Sequence, residues 1–203
     1  MQIPIIISLV LSATTLPSIS PTTQQELFQQ SNSISFFKSK NTLKSIYLQS
    51  NKNHTFYCGC SFDTNKQIDH DSCNYSPRIK SNKRSHRLEF EHIVPAHALG
   101  KNLQCWKEPI CEKRNGKKYK GRKCCSKVSD EFQQMQSDMH NLFPTVGEVN
   151  GDRSNFVFGE IYGEERKYGE CDFEVAERIA EPKKSIRGDI ARSYFYMSHQ
   201  YKM

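Results

Sequence analysis

Eight cysteines limit what this chain of 203 residues can become. They stand at Cys58, Cys60, Cys73, Cys105, Cys111, Cys124, Cys125 and Cys171. All follow the amino-terminal stretch MQIPIIISLVLSATTLPSIS, which reads as a secretory signal peptide over residues 1–20. Its apolar run, Ile3 to Leu11, is too short to span a bilayer. No Lys or Arg precedes that run, and Pro21 obscures the cleavage point. An even number of cysteines in an exported chain predicts disulfides, and a periplasmic or secreted location. CGC and CC lack the two-residue spacing of a zinc knuckle. Spacing alone leaves the pairing open.

The length suits one domain, and 36% hydrophobic residues make its core modest. Lys and Arg outnumber Asp and Glu by 29 to 22, a net charge of +7. That excess favours anionic partners, though it also suits a merely soluble surface. No later segment is apolar enough for membrane insertion, and a monomer is expected.

Residues 21–35, rich in Gln and Ser, read as loosely ordered. Phe36, Leu43 and Tyr47, with Phe37 and Ile46 beside them, fit one face of a helix. FYCGCSF reads as a short strand with a tight turn at Gly59. SPRIKSNKRSHR is basic and turn-rich. Lys107 to Lys127 carries nine Lys or Arg and reads as a long loop pinned by cysteines. Ser129 is an N-cap for a helix through DEFQQMQSDMHNL, with Phe132, Met135, Met139 and Leu142 as its apolar stripe. On that helix Asp138 and Asn141 share a side. GEVNGDRSN reads as a turn-forming run, with Asp152 and Arg153 as an ion pair. After Pro182 a last helix shows an apolar face of Ile186, Ile190, Tyr194 and Met197.

RLEFEHIVPA places Glu89, Glu91 and His92 inside an apolar run that stops at Pro95. Buried charge needs a partner or a metal. A carboxylate suits Mg²⁺, an imidazole off the metal suits a general base, and the Asn141 amide is another hard ligand. That set would hydrolyse a phosphodiester. By itself a Glu–His pair is more often a surface salt bridge. Asp69, His70 and Asp71 read as a polar turn, His97 as lying outside the site, and His140 as a structural hydrogen-bonder.

LEFEHIVPA, QCW, GRK before cysteine, MHNL and GEVNGDRSNF follow one another in the order of the bacterial endonuclease I family, which this chain resembles. The likeness runs from about Thr55 to Tyr201. It implies an α+β fold: a single mixed domain, residues 36–203, built around a ββα-metal (His-metal finger) motif, with disulfides. It implies a sequence-independent endonuclease acting on DNA and RNA and leaving 5′-phosphate ends. Its cofactor would be Mg²⁺, with Mn²⁺ or Ca²⁺ as substitutes. His92 matches the general base, Glu91 and Asn141 the metal ligands, Arg122 the phosphate-stabilising arginine, and Glu89 a further acidic site residue. Arg84, Arg87, Lys123 and Arg153 are candidate nucleic-acid contacts.

Four departures stand out. Phe90 replaces Trp, and Gln136 replaces Glu in the pattern MESDMHN. The insertion PICEKRNGKKY lengthens the loop before Arg122. The chain stops at Met203, where many members carry a tail with two more cysteines. Cys111 and Cys124 are extra, so they are expected to pair and clip the inserted loop. Two alternatives stand: an exported nucleic-acid-binding protein without catalysis, which the short C-terminus favours, and a small disulfide-rich adhesion or envelope protein. The joint presence of Glu91, His92 and Asn141 opposes the first.

Overall fold

The computed structural model describes residues 34–163 and 165–203. The signal-peptide reading, and all but the end of the loosely ordered segment, lie outside them. Ser35 caps helix α1 (Phe36–Gln49) by accepting the Lys38 amide at 3.3 Å. Leu43 turns inward, but Phe37 and Ile46 are 70% and 50% exposed, so the buried stripe is narrower than the apolar pattern. FYCGCSF forms no ladder: an isolated His54–Ser61 bridge closes a loop whose sharpest point is Gly59, at φ +77°. Its two cysteines leave in different directions, Cys58 to Cys171 and Cys60 to Cys73.

Strand β1 (Leu88–His92) leads through Pro95 into the short helices α2 (Ala96–Gly100) and α3 (Gln104–Lys107). The expected basic loop is ordered as a hairpin of β2 (Cys111–Glu112) and β3 (Lys118–Tyr119), turning near Gly116. Helix α4 (Arg122–Val128) follows it. Cys111 pairs with Cys124 as expected, and Cys105 with Cys125.

Helix α5 (Asp130–Ser137) starts where Ser129 accepts the Phe132 amide at 3.2 Å. It stops earlier than its apolar stripe predicts. Asp138 takes an extended conformation, accepts the His140 amide, and receives the Tyr196 and Tyr201 hydroxyls. Met139–Asn141 is a single 3₁₀ turn, and Leu142 begins strand β4 (Leu142–Val146). Pro144 therefore lies within a strand. It is tolerated because β4 pairs only with β1, and its carbonyl still accepts the Phe56 amide at 2.7 Å.

β1 and β4 run antiparallel, with Leu88 opposite Val146 and His92 opposite Leu142. Straight after them comes helix α6 (Gly147–Arg153), completing a β-β-α unit. GEVNGDRSN is thus mainly helix, not a turn. Its glycines serve close approach: a Cβ on Gly147 would lie 2.7 Å from the Arg84 carbonyl oxygen, and one on Gly151 would strike the Arg84 guanidinium. Asp152 binds Arg78 and the Tyr168 hydroxyl, not Arg153.

Strand β5 (Val157–Phe158) runs parallel to β7 (Ile179–Pro182), which pairs antiparallel with β6 (Phe173–Ala176). Helix α7 (Arg187–Tyr201) buries Ile190 and Met197, while Tyr194 stays 38% exposed. One apolar cluster joins Tyr57, Phe62, Ile93, Leu142, Val149 and Phe173. Another gathers Cys124, Cys125, Phe132 and Met197. Both adjoin the end of β1. Among the described residues no helix is long and apolar enough to cross a membrane.

Candidate active site

The end of β1 opens onto a cleft of about 590 Å³, lined by Glu89, Glu91, His92, Arg122 and Asn150 among others. His92 is 6% exposed, and its Nε2 lies 2.8 Å from the Gln136 carbonyl oxygen. That oxygen can only accept, so Nε2 carries the proton and Nδ1 keeps its lone pair. Burial lowers the imidazole pKa to about 3, and the Arg122 charge adds to the effect. A neutral ring with a defined tautomer is held at the cleft, with Phe36 4.9 Å away, centroid to centroid.

Glu91 is 3% exposed. Both of its side-chain hydrogen bonds fall on Oε1, from the Tyr57 hydroxyl at 3.2 Å and Arg153 Nη1 at 2.8 Å. Burial raises its carboxyl to about 7 against the pull of Arg153. Arg153 is fully buried, and it also donates to the carbonyls of His92 and Ile93. It therefore pins the end of β1 from the interior, whereas a nucleic-acid contact was expected to stand at the surface.

Asn141, expected as a metal ligand, is not among the residues that line the cleft. It sits on the 3₁₀ turn, fully buried, and both ends of its amide are committed to Val94: Oδ1 accepts the backbone amide at 2.7 Å, and Nδ2 donates to the carbonyl at 2.9 Å. It clamps the chain leaving β1. Two other asparagines line the cleft, Asn150 on α6 and Asn155 just beyond it. Asn150 Nδ2 donates to Glu89 Oε2 at 2.7 Å, so that bond does not use the amide oxygen.

Glu89 also receives Arg84 and Arg87. Burial would raise its pKa, but these bonds hold it below the usual carboxylate range. Arg122 enters from α4, with its Nε 3.3 Å from Gln136 Oε1 and its guanidinium 5.0 Å from the Phe36 ring centre. Residue 136 thus orients two cleft groups, His92 by its backbone and Arg122 by its side chain.

The endonuclease I family model matches residues 18–203. The chain belongs to the endonuclease I family. It is 47% identical over 153 residues to a periplasmic deoxyribonuclease of Aeromonas hydrophila, covering 72% of this chain and 59% of that protein. An extracellular deoxyribonuclease of the same organism is also 47% identical, with 61% of its length covered. Endonuclease-1 of Buchnera aphidicola from Acyrthosiphon pisum is 37% identical over 189 residues, 87% of this chain and 70% of that protein. The chain spans about three fifths of the length of the two Aeromonas relatives.

In this endonuclease I member the donor set fits a hard cation. Glu91 and Asn150 line one cleft, and each side chain carries an oxygen that its hydrogen bonds to Tyr57, Arg153 and Glu89 do not use. Among the described residues no group of three or more His, Cys, Asp or Glu forms a cage. An ion held here would draw most of its ligands from water and phosphate, as Mg²⁺ does.

Several cleft residues escaped sequence reasoning. Lys40 and Phe36 enter from α1, and Lys66 from the loop before β1. The spacing of four between Phe36 and Lys40 was available as a signal, but Phe36 reads more readily as core. His97, expected outside the site, lines the cleft edge against Trp106. Arg87 reaches the cleft, whereas Arg84 is turned onto Glu89 beside it. Lys123 lies on the hairpin side, in a neighbouring concavity. The Asp69 turn and the His140–Asp138 contact are as expected.

Proposed function

We propose that this protein is an exported, metal-dependent endonuclease that hydrolyses phosphodiester bonds in DNA, and in RNA by the same chemistry, leaving 5′-phosphate ends. The His92–Gln136 bond carries the reading, because it leaves Nδ1 as a base that is neutral at physiological pH. In this scheme His92 Nδ1 takes the proton of the attacking water. Glu91 and Asn150 would hold a Mg²⁺ ion, or Mn²⁺ or Ca²⁺ in its place, which when bound neutralises charge on the phosphate and the leaving oxygen. Arg122 grips the phosphate with a planar fork suited to two oxygens. Glu89 positions Asn150 and keeps Arg84 and Arg87 beside the cleft mouth. Sequence independence follows if cations grip the backbone and no element reads bases.

The relatives named periplasmic and extracellular deoxyribonucleases support DNA as substrate and an exported location. Four disulfides fit that location. A monomer suffices, because one chain supplies every proposed group. The test is plasmid DNA incubated with oxidised protein and Mg²⁺, then with EDTA. Nicking and linearisation that EDTA stops are expected; no cleavage with any divalent ion rejects the proposal.

A further inference from the structure

The hairpin β2–β3 has no part in the chemistry above, yet its charge is lopsided, with Glu112 the one acidic residue on its strands. From Lys113 to Lys123 there are seven Lys or Arg and no acidic residue. All seven are exposed, and among the described residues none forms an ion pair. A solvated face of mixed sign would balance itself; here Glu112 stands against seven cations. The cations also line a concavity of about 440 Å³, shared by Lys113, Tyr119, Lys120, Arg122 and Lys123. Arg122 lines the catalytic cleft too, so the two hollows meet at its side chain. The hairpin is tied to that side chain: Cys111 on β2 is bonded to Cys124 on α4, and Gly121 donates to the Cys105 carbonyl at 2.9 Å. Lys120 is steadied by its bond to the Lys107 carbonyl at 2.8 Å.

We propose that the disulfide-clipped hairpin is a backbone track that grips the phosphodiester strand where it leaves the catalytic cleft beyond Arg122. Lys113 and Lys120 face successive phosphates, and the Tyr119 ring offers one surface for an unpaired base, the combination that binds single strands without sequence preference. A track of this kind adds affinity for long substrates and does nothing for a substrate that ends at the scissile phosphate. The inference rests on the nuclease reading and is tested apart from it.

Lys113→Gln with Lys120→Gln is compared with the wild type and with the matching Lys→Arg pair. Two measurements are made: binding of a long single-stranded oligonucleotide across a salt series in EDTA, and hydrolysis of a nitrophenyl ester of thymidine phosphate in Mg²⁺. In the Gln pair the slope of log affinity against log salt should fall by about 1.5, the contribution of two phosphate contacts. KM for long DNA should rise severalfold, while turnover of the small ester is unchanged. The Arg pair should keep the wild-type slope. An unchanged slope in the Gln pair overturns the track. So does loss of binding to phosphatidylserine vesicles without loss of oligonucleotide binding, which would make the patch a membrane contact. Wild-type protein inert on both substrates would sink the nuclease reading, while the EDTA binding series would still judge the hairpin.

Discussion

His92 Nε2 lies 2.8 Å from the backbone carbonyl oxygen of Gln136, joining the end of β1 to the last turn of α5. Because the acceptor is backbone, no substitution at position 136 removes it, and the imidazole tautomer is set by the fold. His92→Ala should lower cleavage by roughly 10²–10⁴-fold, the usual share of a general base. Oligonucleotide binding should be nearly unchanged. Plasmid cleavage with parallel anisotropy measurements checks both, and a wild-type rate would exclude His92 as the base.

Gln136→Ala separates the two roles of that residue. The carbonyl stays with His92, but Arg122 loses its side-chain acceptor. We expect kcat on DNA to fall roughly tenfold, about 1.4 kcal/mol of barrier, with little change in KM. Steady-state kinetics would show a change confined to KM if Arg122 acted only in ground-state binding.

The two asparagines should fail differently. Asn141→Ala strands the Val94 amide and carbonyl, at roughly 1–3 kcal/mol for each buried group left unpaired. It should appear as a lowered thermal midpoint. Asn150→Ala should leave the midpoint nearly unchanged and raise the Mg²⁺ concentration needed for half-maximal cleavage. A metal titration and a melting curve on both variants decide the assignment; reversed phenotypes would restore Asn141 as the ligand.

Arg153→Met leaves Glu91 buried without its ion-pair partner, a loss of about 3–5 kcal/mol for pairs of this kind. The salt dependence of nucleic-acid binding should not change, since Arg153 meets no solvent. Chemical denaturation and the salt slope measured on one preparation test both halves.

Disulfide removal should rank by loop length. Cys111 and Cys124 are 13 apart in sequence, whereas Cys58 and Cys171 are 113 apart. Chain entropy assigns about 3 kcal/mol to the shorter loop and about 5 kcal/mol to the longer. Double serine variants, compared by denaturation midpoint, should follow that order, and the hairpin variant should still turn over the small ester.

The local chemistry of this protein was written in its sequence. RLEFEHIVPA could be read as an apolar strand carrying a site because alternating apolar residues and a terminal proline act over a few positions. The pairing of Cys111 with Cys124 was legible once family resemblance marked both as extra. What the sequence could not apportion was which of Asn141 and Asn150 lines the cleft. The two are equally polar, the first beside His140 and the second beside Gly151. Only packing distinguishes them: Asp138 breaks the helix through its long-range tyrosine partners, Pro144 becomes part of a strand, and Gly147 and Gly151 let α6 press against Arg84. The same is true of Arg153, an ordinary surface charge by composition, which the tertiary fold buries because Glu91 and two strand-end carbonyls gather around it. Periodicity and turn chemistry are local quantities, so sequence reveals them. Burial and partner choice depend on contacts tens of residues apart, and those exist only once the chain has folded.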